Sequence, residues 1–154
     1  MTGVALSGHG LSAGFDDSAI TRHLALLAIA DGSRFDETRR EIGEYMLGDV
    51  QDNLDGQKLF DGSAMPQSKA AIARSGKTLI HRHHLYDSYV YQLRGGGVEI
   101  GSALVYAAIH HFGGQAGGKR RRITLPARPV LGVSERQERK IGDFLIAEIR
   151  ATQP

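Results

Sequence analysis

The chain contains no cysteine among its 154 residues, so neither disulfides nor thiolate metal ligation can hold it together. That composition suits a protein folded in a reducing cytoplasm. Long hydrophobic runs are missing too: the longest, Leu24 to Ala30, falls far short of the ~20 residues that span a bilayer, and no basic n-region precedes an apolar stretch at the N-terminus. The sequence reads as a soluble, unprocessed chain with no membrane partner. Catalytic signatures are equally sparse. There is no cysteine nucleophile and no His-Glu-x-x-His helix, and no serine nucleophile elbow is expected, so the chain is not expected to be an enzyme.

At this length one domain can bury about 70% of its unfolded surface, enough for a core without staples. The net charge of +2 hides an uneven distribution. Residues 1–61 carry 11 acidic and 5 basic side chains, a balance of −6, whereas residues 62–154 carry 6 acidic and 14 basic, a balance of +8. Solvated faces that simply differ in charge account for this. Alternatively, halves lying on opposite surfaces would let identical copies dock head to tail.

Residues 1–15, rich in glycine and serine, read as a loose arm or edge strand with Val4-Ala5-Leu6 its strand-like piece, ahead of a single domain over 16–154. Asp16-Asp17-Ser18 caps a helix expected to reach about Ala30. A second helix is expected from Asp36-Glu37 to Asn53–Gly56, presenting Ile42, Tyr45, Met46 and Val50 at helical spacing. Phe60-Asp61-Gly62-Ser63 marks a turn, and Pro66 opens a short helix through Ala73. Thr78-Leu79-Ile80 reads as extended. Ser88–Leu93 and Val98–Gly101 flank Arg94-Gly95-Gly96-Gly97, which is a hairpin pattern. A helix is expected over Ala103–Phe112, a flexible basic loop over Gly113–Arg122 and a strand at Ile123-Thr124-Leu125. Ser134-Glu135-Arg136-Gln137 is a capping box, opening a C-terminal amphipathic helix with Ile141, Phe144, Leu145 and Ile149 on one face. The expected class is α+β: a small antiparallel or mixed sheet packed against helices.

Three patterns invite site hypotheses. Ala71 to Thr78 satisfies a relaxed phosphate-loop pattern, in which backbone amides, Lys77 and the Thr78 hydroxyl would hold phosphate and magnesium. It is preceded by helix-like sequence rather than the required strand. Gly113 to Lys119 matches more weakly, with Arg120 in the hydroxyl position. The cluster Lys119, Arg120, Arg121 and Arg122 could instead touch nucleic-acid phosphates without specificity, or order against another subunit. His81, His83 and His84, with His110 and His111, are potential zinc ligands that lack thiolate or carboxylate companions, so surface and packing roles are favoured and no metal or other cofactor is expected.

Several segments together resemble the phage virion morphogenesis family, the tail-completion or tail-terminator proteins of Mu-like and P2-like phages. They are Phe60–Met65, Lys77–Ile80 with Leu85 and Ser88, Val98–Ser102 with Tyr106–Gly114, and Ile123–Gly132 around Pro126-Ala127-Arg128-Pro129. The similarity spans residues 20–150. Met65 stands where the family often has Trp, and His111 where it often has Gln. The resemblance implies a structural virion protein assembled in the host cytoplasm and located at the head-proximal end of the tail. There it would form a ring, a hexamer, that caps the tail tube, meets head-completion or connector proteins and lets DNA pass without specific recognition. On this reading Tyr106, His110, Phe112, Lys119, Arg120, Arg121, Arg122 and Arg128 are the expected interface residues. Prolines on both sides stiffen the segment carrying Arg128, whose guanidinium suits a carboxylate within the fold or across a subunit boundary. The reading from a different class is a small basic nucleic-acid-binding module.

Overall fold

Helix α1, Gly32–Gly56, is the element against which the later parts of the chain are laid, packing on the central hairpin and on the C-terminal helix. The computed structural model describes residues 3–7, 10–14, 32–117, 119 and 123–152. The expected helix from Asp16 to Ala30 lies outside the described residues. Along α1, Ile42, Met46, Val50 and Leu54 recur every fourth position and are buried, because that spacing aligns side chains on one helical face. Burying a Val or Leu of this kind contributes about 1.5–3 kcal/mol. With Met65, Leu85, Tyr89, Ala107 and Val130 the lower half of this stripe forms the core.

Beside that apolar stripe runs a second one that is polar and largely enclosed. Asp49 and Asn53 are buried and Gln57 is half-buried. Each holds a different later segment. Asp49 accepts from Gln137 Nε2 at 2.5 Å and pairs with Arg136. Asn53 Nδ2 donates to the Val130 carbonyl at 3.1 Å. Gln57 clasps the backbone of Thr78, donating to its carbonyl at 3.1 Å and accepting from its amide at 2.6 Å.

The chain then turns through Leu59–Ser63, where the Leu59 amide donates to the Ser63 carbonyl at 2.8 Å and Gly62 takes φ 84°. Helix α2 covers only Lys69–Ala73, capped by the Ser68 hydroxyl accepting from the Ala71 amide. Thr78-Leu79-Ile80 is not the extended piece expected from its β-formers. Leu79 adopts φ 64°, and the Gln57 clasp bends the chain into turns. Strands β3, Tyr89–Arg94, and β4, Gly97–Ser102, form the expected antiparallel hairpin in the register Arg94↔Gly97. Gly95 and Gly96 both take positive φ, as a tight two-residue hairpin turn requires. The hairpin lies against α1 so closely that a Cβ at Gly43 would stand 2.3 Å from the Tyr91 ring.

Helix α3 covers Ala107–Phe112, shorter than the expected Ala103–Phe112. Residues 103–106 are spent in a turn that lets Leu104 pack on the core. Gly113, at φ 73°, ends the helix against the backbone of Leu125 and Ala127, where a Cβ would meet atoms at 2.8–2.9 Å. Gly114–Ala116 is then a strand, β5, paired with β6, Ile123–Leu125, so the front of the expected flexible loop is ordered by a partner strand. Lys119 is exposed. Arg120, Arg121 and Arg122 lie outside the described residues.

The last element is α4, Glu135–Thr152, with Glu135 and Glu138 in its first turn and Arg150 in its last, the charge order favoured by the helix dipole. Half of the expected capping box forms: Gln137 Oε1 accepts from the Ser134 amide at 2.9 Å, and the Ser134 hydroxyl donates to that same oxygen. Phe144 meets Tyr45 of α1 at 6.0 Å between ring centroids. The class is α+β with a C-terminal helix, as expected. The strands do not gather into one sheet: the described residues form three separate antiparallel pairs, and none is mixed. The third pair joins β1, Gly3–Ser7, to β2, Gly10–Gly14, so the segment read as a loose arm or edge strand holds a hairpin.

Candidate functional site

The catalytic patterns dissolve first. Gly10-Leu11-Ser12-Ala13-Gly14 does spell Gly-x-Ser-x-Gly, contrary to the expectation that no such motif is present, but it is strand β2 rather than a strand-to-helix elbow. In the phosphate-loop pattern, Lys77 Nζ pairs with Asp55 at 3.2 Å across the surface. The carboxyl of Asp55 is held below its usual range by hydrogen bonds from Lys77 first and Tyr86 second. Thr78 is 1% exposed, and its hydroxyl accepts from the Ser68 amide at 3.1 Å. Both side chains are thus engaged within the fold, and the short α2 stands where the motif needs a strand. Among the described residues no three His, Asp or Glu side chains converge as a metal set, and no helix is long and apolar enough to cross a membrane.

What the later half of the chain builds instead is a recess, in segments that also expose several large apolar side chains. The recess has a volume of about 370 Å³ and lies between the turns of residues 68–85, helix α3 and the 125–128 segment. Arg74, Arg82, Arg128, His81, His84 and His110 line it, and no aspartate or glutamate does among the described residues. Arg74 ties its own loop together, donating to the Lys77 carbonyl at 2.6 Å and the Ile80 carbonyl at 3.1 Å. Ser75, Leu79 and His83 take positive φ in this stretch, a conformation uncommon for residues other than glycine, above all for leucine.

Arg128, expected at an interface, is 3% exposed. Its Nε donates to the Pro66 carbonyl at 2.6 Å, and its amide donates to the His110 carbonyl at 2.8 Å. It therefore ties α3 and the Pro66 turn to the 126–130 segment. Burial lowers its pKa from the ordinary arginine value, and no carboxylate among the described residues acts the other way. His110, next to it, is held below the usual imidazole value by burial first and by the Arg128 charge second. His110 Nδ1 is buried without a hydrogen-bond partner. His111 is lowered by burial alone.

Of the expected interface residues, Tyr106, His110 and Arg128 meet at the recess. Tyr106 is 42% exposed and Phe112 is 78% exposed. Val105, at 95%, and Ile123, at 57%, are further exposed apolar side chains, although neither stood out in the sequence. Both lie next to residues that did, and burial was the missing information. Arg74 and Arg82 were likewise overlooked, since isolated arginines in a turn carry no pattern.

Residues 15–150 match the phage virion morphogenesis family. This chain belongs to that family. A curated relative, the Mu-like prophage FluMu G protein 2 of Haemophilus influenzae, is 33% identical over 122 residues, covering 79% of this chain and 83% of the relative. No solved structure gives a significant match. Membership makes the chain a phage virion morphogenesis protein with a structural part in the particle. The family match contains both the recess and these exposed apolar residues.

Proposed function

We propose that this protein completes the phage tail: copies close into a ring, a hexamer, at the head-proximal end of the tail tube and present a surface to the head-completion or connector proteins, leaving a passage for DNA. The observation that carries the reading is the family match over residues 15–150. The exposed apolar residues Val105, Tyr106, Phe112 and Ile123 support it, because large apolar and aromatic side chains left in solvent are what association surfaces are made of. The division of charge along the chain suits head-to-tail contacts between copies, which close into rings.

The test pairs electron microscopy with complementation. Purified protein incubated with tail tubes is expected to add a ring at one end, and a phage lacking the protein is expected to accumulate tails unable to join heads. Phe112→Asp should fold normally and fail in both assays. Normal infectivity without the protein, or rings distributed along the tube walls, would exclude the assignment. Affinity for DNA that falls steeply with salt, in a chain with no effect on tails, would favour the nucleic-acid-binding module instead.

A further inference from the structure

The recess beside α3 is an unfinished ion pair. Arg128 is nearly enclosed yet spends only Nε on the fold, donating to a neutral carbonyl, and among the described residues no carboxylate pairs with it. A buried guanidinium without a counter-ion is costly, because burial penalises the charge and nothing nearby repays it. His110 Nδ1 adds an unpartnered buried polar atom on the same wall, and Arg82, His81 and His84 add exposed donors at the rim. The volume suits one or two side chains. It does not suit a duplex backbone, which would have to bring its phosphates to an arginine that the surface hides.

We propose that this recess receives a carboxylate side chain from a second copy of the chain, so that Arg128, with Arg82 at the mouth, completes its ion pair across the subunit boundary. The inference rests on the ring reading above and names the contact that closes the ring. Charge complementarity favours a second copy over a foreign partner. Helix α1 exposes Glu37, Glu41 and Glu44 on one face, with Arg40 among them, and neither Glu37 nor Glu41 has a partner among the described residues. A head-to-tail arrangement brings that acidic helix of one copy to the cationic recess of the next. The half-exposed Tyr106 lines the recess and would keep water from the buried pair.

Two measurements on the full chain test this. In sedimentation velocity the unaltered protein is expected to self-associate, and Arg82→Glu to weaken association by about tenfold or more, as a like charge placed at a docking site does. Circular dichroism should be unchanged, and Arg150→Glu, which does not line the recess, should associate normally. In the second measurement Arg82→Lys, prepared as an equal mixture of light and heavy-isotope copies, is treated with a carbodiimide that joins amines to carboxylates at zero length. Isotopically mixed links from position 82 to an aspartate or glutamate, expected in α1, support the proposal. Links confined to single copies, or no links, overturn it. So does a chain that stays monomeric, or a loss of DNA affinity in Arg82→Glu with association unchanged. The ring reading is judged separately by the micrographs of tail tubes: rings that form normally with Arg82→Glu leave it standing while this contact falls.

Discussion

Asp49 of α1 and Gln137 of α4 are both buried and lie 2.5 Å apart between Oδ2 and Nε2. Gln137 uses its other side-chain atom, Oε1, to hold the amide of Ser134. A single side chain therefore caps its own helix and docks it on another. Asp49→Ala is expected to cost about 1–3 kcal/mol, the penalty for stranding a buried donor, measured by urea unfolding. Asp49→Asn, which can still accept from Gln137, should cost less. Equal losses for the two would show that the Arg136 charge, rather than Gln137, is what Asp49 holds.

Gly43 and Tyr91 form a second specific pair. In an exposed helix Gly→Ala gains up to about 1 kcal/mol from helix propensity. Here the added methyl would sit 2.3 Å from the Tyr91 ring, and overpacking of this kind costs about 1–3 kcal/mol. Gly43→Ala is thus expected to lower the melting temperature. In the Tyr91→Ala background the same change should be neutral or stabilising, and a thermal double-mutant cycle would reveal the coupling.

Lys77 and Thr78, neighbours in the phosphate-loop pattern, are expected to differ when removed. Lys77→Ala loses an exposed ion pair with Asp55 and should leave stability within error and nucleotide affinity undetectable. Thr78→Ala removes the acceptor for the Ser68 amide and leaves space in a site that is 1% exposed. A loss of about 1–3 kcal/mol is expected. Thr78→Ser, which keeps the hydroxyl, should recover much of it. Micromolar ATP binding abolished by Lys77→Ala would reverse this conclusion.

Arg128→Glu is expected to unfold or strongly destabilise the subunit, since it would place a carboxylate against the Pro66 carbonyl in a buried position. Its failure to assemble therefore tests folding, which is why the exposed Arg82 is the sharper probe of docking. Cooperative unfolding of Arg128→Glu at the unaltered protein's urea midpoint would contradict the buried placement.

Two half-buried histidines set a pH window. His110 and His111 are both held below their ordinary value near 6.5, so the unfolded chain binds protons that the folded chain does not. Stability is therefore fully present above pH about 6.5 and falls as the pH drops from there toward the folded-state values. Replacing His110 with Gln should flatten part of that slope in urea midpoints taken from pH 7.5 to 5, leaving the His111 share. Asp55 acts separately: its depressed carboxyl contributes above its ordinary value of 3.8 and is lost only at lower pH. A midpoint that does not change across the histidine window would refute the placement of both imidazoles.

Local periodicity and turn chemistry were enough to reveal the elements that are amphipathic or glycine-turned. The Ile42–Met46–Val50 stripe, the β3–β4 hairpin around Gly95-Gly96 and the Ser134–Gln137 cap each depend on residues within a few positions of one another, where spacing determines geometry. The family, too, was legible in short blocks such as Tyr106–Gly114. The sequence alone also showed that acidic and basic side chains segregate along the chain. Only the tertiary structure decided what the polar residues do. Nothing in the local pattern singles out Asp49, Asn53 and Gln57, yet they reach Gln137, Val130 and Thr78, partners far away in the chain. Burial depends on what arrives from elsewhere. For the same reason Thr78-Leu79-Ile80 bends despite its strand-forming residues, because the Gln57 clasp outweighs a propensity worth less than about 1 kcal/mol. Arg128 carries that contrast into function: its proline-flanked position was visible in the sequence, but its enclosure, with no carboxylate partner among the described residues, arises from the packing of α3, the Pro66 turn and the 126–130 segment around it.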